Sequence, residues 1–297
     1  MMRLRDLFLG RVPAMKNLIL SAIPFFLITI VVEAIWDKLK GTRFVALKDA
    51  LTNIAIGTGS LMGKFIPTAA IYWFCWHISP FKIQPAWWSW ALVLLLDDFF
   101  YYWFHRVSHE SRFFWNMHVV HHSSDHYNLS VAVRQSWFGG LVGWIFYAPI
   151  ALLGFPPEML LTAHAINLLY QYWIHTQFIG RLGWLEWMFN CPTHHRVHHG
   201  VNDPYLDKNY GGILIIWDRL FGTLAEETEP VRYGIIKPLN SYNPLWANLH
   251  AWHEMLEAMR ARATWREKWR CVWGPPAMTP EAPDAWKPKA ATAASRA

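Results

Sequence analysis

Backbone amides cannot stay unpaired in hydrocarbon, so a chain with long apolar runs is confined there to helices or a closed barrel. This sequence has such runs. One block extends from Asn17 to Trp36 and is interrupted only by Glu33; others cover 53–79, 87–104, 137–153 and 158–174. A spanning helix needs roughly 20 mostly apolar residues, and the first three blocks reach that length. The last two are marginal alone, but Gly154–Pro157 joins them tightly, as in a helical hairpin. A soluble helical core is the weaker reading for a chain with 54% hydrophobic residues, 20 Trp and only 16% charged residues. Trp and Tyr at the block ends suit a membrane interface. The expected fold class is therefore all-α: a multi-pass transmembrane helical bundle of about four or five membrane helices, with a histidine-rich helical cap.

Charge supplies the orientation. The 37–50 segment holds Lys38, Lys40, Arg43 and Lys48, and the histidine-bearing segments also carry cations, whereas the 79–86 link holds only Lys82. The positive-inside bias then places the cap on the cytoplasmic face. The formal charge of +6 comes from basic residues flanking apolar blocks, which fits anionic lipid headgroups better than nucleic acid. The basic start, Met1 to Lys16, resembles the head of a signal peptide. The length of the following run, Glu33 and the lack of a small-residue cleavage site favour an anchor. Cys75, Cys191 and Cys271 show no metal or redox spacing.

Four regions follow. Residues 1–52 read as an anchor helix and basic loop, 53–240 as a catalytic domain, 241–273 as an amphipathic interfacial helix and 274–297 as a disordered tail rich in Pro, Ala and Thr. In the third region Leu245, Leu249, Trp252, Leu256 and Met259 recur at helical spacing, followed by Arg260, Arg262, Arg266, Lys268 and Arg270. A helix lying on headgroups or one docked on the protein explains this equally.

The chemistry lies in three clusters: His105-Arg-Val-Ser-His109, His118-Val-Val-His121-His122 and His195-Arg-Val-His198-His199. Helix positions i, i+3 and i+4 share a face, so each cluster aims two or three imidazoles at one spot. Eight such side chains can furnish two metal ions. His175, ending the fifth block, is a ninth candidate ligand. Asp98 lies below His105 on the same helix face and is the candidate to accept the N–H that a metal-bound imidazole usually donates. Glu110, beside His109, is the second candidate acid. His194 competes with His195 for space, His126 lies beyond the cluster, His77 sits near the opposite interface, and His250 and His253 read as surface residues. His164, mid-block, is a candidate for a substrate cavity. Arg134, Lys208 and Asn209 are candidates for a headgroup, and Asn202–Gly212 for a lid or a turn-rich connector. Imidazole suits zinc, copper, iron and nickel, so the ligands do not choose the metal. Hydrolysis and oxygen activation both remain open, although no G-x-S-x-G occurs. A metal transporter or sensor is the competing class; it calls for ligands along a path through the bilayer rather than at one interface.

The ordered set HRVSH, HVVHH and HRVHH resembles the fatty acid hydroxylase (sterol desaturase) superfamily of membrane di-iron oxygenases. Within it, HHSSDHYNLSVAVRQS, LLYQYWIHTQFIG, PTHHRVHHG and DKNYGGILIIWDRLFGT look most like the alkylglycerol monooxygenase branch. The resemblance implies a di-iron site at the cytoplasmic membrane face, held by His105, His109, His118, His121, His122, His195, His198 and His199. Where some members carry a further H-x-x-x-H, this chain has Gln171 and His175, so one imidazole remains. Glu110 matches an acid important to the ether-lipid branch; His126 stands where that branch commonly has an acid, and no role carries over to it. The implied activity is O2-dependent hydroxylation of a lipid C–H bond, on an ether lipid first and by a sterol-type oxidase, desaturase or carotenoid-type hydroxylase second. Implied partners are a lipid substrate, O2, the membrane and an electron donor, either tetrahydrobiopterin or another external reductant.

Overall fold

A computed structural model describes residues 13–61 and 66–276. Among them there are helices and one isolated antiparallel bridge, Phe189 to Leu214, but no strand. Residues 1–12 of the expected anchor region and most of the expected tail, 277–297, lie outside the described residues.

Helix α1, Pro13–Lys40, opens on a proline, whose fixed φ and missing N–H suit a first helical turn. Its stretch Leu20–Lys40 is, among the described residues, the one helix long and apolar enough to cross a membrane. The acid that interrupts this run is tied down. Glu33 is buried, its Oε1 accepting from the Thr176 hydroxyl at 2.5 Å and its Oε2 from Leu129 N–H at 2.6 Å. Of the 53–79 block the structure describes α2, Leu47–Leu61, and α3, Ile66–Ile78; residues 62–65 lie outside the described residues. The buried face of α2 includes Asp49, Thr52, Asn53 and Ser60, which hydrogen-bond within the protein.

Helix α4, Trp87–Glu110, is the central element. It packs on α8, Pro157–Trp173, and on α7, Trp144–Leu152, while α7 also packs on α3. Their shared core includes Val93, Tyr147, Ile150, Phe155, Met159 and Leu160. Burying an aliphatic side chain of that size contributes about 1.5–3 kcal/mol, which fixes α4 against α8. The 137–153 block supplies only the short α7, because the Gly139–Leu141 turn precedes it.

The cap is built from short pieces. After α4 a single extended residue, Ser111 (φ −118°, ψ 126°), reverses the chain into α5, Arg112–His122. A one-turn α6, Leu129–Ala132, packs on α1, α2 and α8. Helix α9, Pro192–His198, again starts on proline, and α10, Ile216–Phe221, ends at Gly222 with φ 74°. The expected single helix over 241–273 is two: α11, Pro244–Arg260, and α12, Trp265–Trp273. The break has a local cause. Glu267 N–H donates to Thr264 Oγ1 while Glu267 Oε2 accepts from Thr264 N–H, a capping box that starts a new helix. Both helices pack against α5, so the buried sides dock on the protein. His250, expected at the surface, is buried and faces the Ala247 carbonyl at 2.9 Å.

Candidate metal centre

Helices α4, α5 and α9, together with the end of α8, bring nine imidazoles to one place. They form two groups whose potential ligand atoms lie within 4.8 Å of one another. His105, His109, His118, His122 and His198 make the first; His121, His175, His195 and His199 make the second. All nine are buried except His118, which is half-buried. The groups abut: His122 stacks on His199 with ring centroids 4.3 Å apart.

Backbone carbonyls behind the rings set the tautomers. Nδ1 of His105 faces the Tyr210 carbonyl and Nδ1 of His198 the Lys208 carbonyl, both at 2.8 Å. Nδ1 of His121 meets the Arg134 carbonyl at 3.2 Å, and Nδ1 of His175 the Gln171 carbonyl at 2.7 Å. A carbonyl only accepts, so each of these Nδ1 atoms carries the ring hydrogen and each Nε2 is a bare lone pair. Two of these Nε2 atoms nevertheless face each other, those of His121 and His175 at 3.1 Å. The others meet an Nε2 of a ring that no carbonyl orients: His105 meets His118 at 3.0 Å, His198 meets His122 at 3.2 Å and His175 meets His195 at 2.9 Å. His109 Nε2, His195 Nδ1 and His199 Nε2 are buried without a hydrogen-bond partner.

Two lone pairs at that distance repel unless a cation lies with them. A proton is a poor choice here. Burial, reinforced by the neighbouring imidazoles, holds His118, His121, His122, His195, His198 and His199 well below the usual histidine range. A metal ion fits. Two nitrogens bound at about 2.1 Å and at right angles stand about 3.0 Å apart, close to the spacings seen. Neutral, oriented imidazoles are also the form that ligates.

The candidate acids are placed differently from expectation. Asp98 touches no imidazole. Its Oδ1 accepts from Ile213 N–H at 2.6 Å and its Oδ2 from Leu214 N–H at 3.0 Å and Trp217 Nε1 at 2.8 Å. It thus pins the 211–217 turn, and a Cβ on Gly212 would come within 2.8 Å of it, which requires glycine there. Helical spacing put Asp98 on the right face, but two turns of axial rise separate it from His105, and the turn's free amides take the carboxylate. Glu110 pairs with Arg106 at 2.8 Å on the exposed side of α4. A carboxylate that does approach one of the nine imidazoles is Asp207, 3.6 Å from His109 Nδ1. No spacing rule points to it, since it arrives from a distant loop.

Three further expectations change. Arg134, a headgroup candidate, is fully buried. Its Nε donates to the Val120 carbonyl, its Nη1 to Asn53 Oδ1 and its Nη2 to Ser123 Oγ, at 2.7–2.9 Å. Asn209 is buried too and donates to the His194 and Ala225 carbonyls. The Asn202–Gly212 segment is a connector whose Lys208 and Tyr210 carbonyls orient two ligands. His164 sits beside Asp97 at 3.2 Å, away from both groups, and His194 Nδ1 accepts from Cys191 N–H at 3.3 Å.

The described residues are helical and bring nine imidazoles together, eight of them buried, which is the arrangement of a candidate metal centre. Residues 90–223, a little under half of the chain, match the family model described as fatty acid hydroxylase. The chain's relatives include the alkylglycerol monooxygenase of Danio rerio, 39% identical over 280 residues that cover 89% of this chain and 60% of that protein. The human alkylglycerol monooxygenase is 44% identical over 238 residues, covering 77% of this chain and 53% of that protein. The ornithine lipid hydroxylase OlsE of Rhizobium tropici is 28% identical over 208 residues, 67% of this chain and 62% of that protein. The chain spans between about half and three-fifths of the length of these alkylglycerol monooxygenases. No solved structure matches it.

Proposed function

We propose that this chain is a membrane di-iron monooxygenase that hydroxylates a lipid C–H bond with O2, acting on an ether lipid. The observation that carries the reading is the pair of imidazole groups, five and four strong, whose ring nitrogens converge, with the Nε2 lone pairs of His121 and His175 facing each other. His105, His109, His118, His122 and His198 would hold one ion, and His121, His175, His195 and His199 the other. Iron bound there supplies O2 activation and C–H oxidation. The alkylglycerol monooxygenases, at 39% and 44% identity, favour the ether lipid over the sterol-type alternative. Hydroxylation of the carbon beside the ether oxygen gives a hemiacetal, which collapses to an aldehyde and a glycerol. The second oxygen atom leaves as water with two protons, and the two electrons come from an external donor, a pterin or a redox protein.

The chain's own contribution is positional. The carbonyls of Lys208, Tyr210, Arg134 and Gln171 hold four rings in the ligating tautomer, and burial keeps the imidazoles uncharged. The α1 span anchors the cap through Glu33, and the apolar blocks behind it make a multi-pass membrane protein with its site at the cytoplasmic interface. The gathering of all nine imidazoles in one place favours this reading over a transporter.

The test is metal content and product formation in protein purified under iron-replete conditions. About two irons per chain are expected, largely lost in His195→Ala/His199→Ala, with O2-dependent aldehyde release from an alkylglycerol. Equal metal in both proteins, or turnover without the histidines, would sink the reading.

A further inference from the structure

We infer that the α11–α12 hairpin is a lipid-contact surface: it lays one stripe of each helix on an anionic phospholipid bilayer and so moors the helix that carries three of the ligands. The inference rests on the membrane placement proposed above and is independent of the chemistry.

Helix α12 has one deeply buried side chain, Cys271. At about 100° per residue, Trp265, Trp269 and Trp273 form a stripe on the opposite side. They are 74%, 57% and 43% exposed. Three large aromatic side chains turned directly away from the protein are costly in water and favoured at the headgroup level, where the ring is buried and the indole N–H stays wet. Helix α11 repeats the arrangement. Its docked side is Ala247, Ala251 and Ala258, and the opposite side exposes Leu245, Leu249 and Leu256.

The patch continues into the apolar bundle. Phe113 of α5 lies 5.2 Å from Trp273 and 5.5 Å from Trp252, and its neighbour Phe114 lies 5.6 Å from Phe146 of α7. Charge names the occupant. Exposed Arg266 and Arg270 flank the tryptophans, while the acid of α12, Glu267, points the other way and is engaged by Thr264. A second copy of this chain docking by a two-fold axis would set these arginines against themselves, whereas anionic phosphates complement them. Lipid contact reaches the metal centre through α5, because Arg112 N–H donates to the Gly274 carbonyl at 2.9 Å, at the end of α12.

The experiment uses the full chain in nanodiscs, with Cys75, Cys191 and Cys271 replaced by alanine and a nitroxide attached at Trp269→Cys or Glu267→Cys. Relaxation by O2 should exceed relaxation by a water-soluble nickel chelate several-fold at 269, with the reverse at 267. Adding Arg266→Gln/Arg270→Gln should raise nickel access at 269 in discs containing phosphatidylglycerol but not in phosphatidylcholine alone. Equal nickel access at both positions overturns the inference, as does dipolar broadening between labels, which would mean self-association. Indifference to phosphatidylglycerol overturns the anionic part. Iron content measured on the same samples separates failure here from failure of the proposed function.

Discussion

The two imidazole groups share helices but are built differently. In α4, α5 and α9 the residues four apart stay together: His105 with His109, His118 with His122, and His195 with His199. The residue three from the start of each H-x-x-H-H crosses over, so His121 joins the second group and His198 the first. Successive i+4 positions drift by about 40° around a helix and i+3 positions by about 60° the other way, so one turn can feed two ions. The first group also meets its surroundings at a half-buried His118 and a half-buried Trp115, 5.0 Å from His109. The second is sealed. Tyr127 packs on His199 at 5.0 Å and is itself stacked on Tyr233, while the buried Arg134 holds the end of α5. The difference is one of access: the first group has a half-buried ring at its edge, and the second has none.

Emptying one group at a time is the strongest way to break that comparison. His105→Ala/His109→Ala should remove the metal of the first group and leave about one equivalent in the second, with the reverse for His175→Ala/His195→Ala. Metal analysis reads it; complete loss in both would mean that the crossing histidines make one inseparable site. Metal-free protein comes next. Burial holds His118, His121 and His122 well below the near-6.5 value they take when unfolded, so below pH 6.5 the unfolded state binds more protons. Stability should therefore fall as pH drops from 7 to 5, by about 1.4 kcal/mol per pH unit for each proton taken up. Metal-loaded protein should resist over the same range, and parallel thermal melts would show it.

Smaller changes sharpen the contrast. Arg134→Met leaves Asn53, Ser123 and the Val120 carbonyl without their donor, and should cost about 2–4 kcal/mol. Its damage to metal content should fall on the second group, since the Arg134 carbonyl holds His121. Asp98→Asn puts an amide where four N–H donors point, those of Ile213, Leu214, Trp217 and Asn167; a loss of about 1–3 kcal/mol is expected, with metal leaving the first group through the Tyr210 carbonyl. Glu110→Gln breaks a half-exposed ion pair with Arg106, for which about 0–1 kcal/mol is expected in chemical denaturation. Iron content should not change. A large loss of iron in that variant would mean that Glu110 reaches the site when substrate is bound.

Much of the site was legible in the sequence because helical periodicity needs no tertiary knowledge. The nine histidines were all identifiable from spacing or resemblance. The carbonyls that orient them were not, because a carbonyl carries no residue signature. Asp207 and Arg134 were missed or misassigned for a related reason: an exposed-looking charge in a loop segment reads the same whether it meets water or closes a core. The apolar blocks told where helices lie but overstated the length of one, since the Gly139–Leu141 turn divides what hydropathy joins over 137–153.

The sequence by itself determined that the chain is helical, apolar and rich in imidazoles held on short turns, because those properties follow from local backbone geometry and side-chain type. Only the tertiary structure decided how nine rings divide into five and four, which nitrogen of each faces inward, and which acid stays away from them. Those outcomes depend on a reversal at Ser111, on the C-terminal end of α8 at 171–175 and on the 207–212 loop, which packing of α4 on α8 brings together. The energies that make that packing are spread over many apolar contacts, and no single motif in the chain records them.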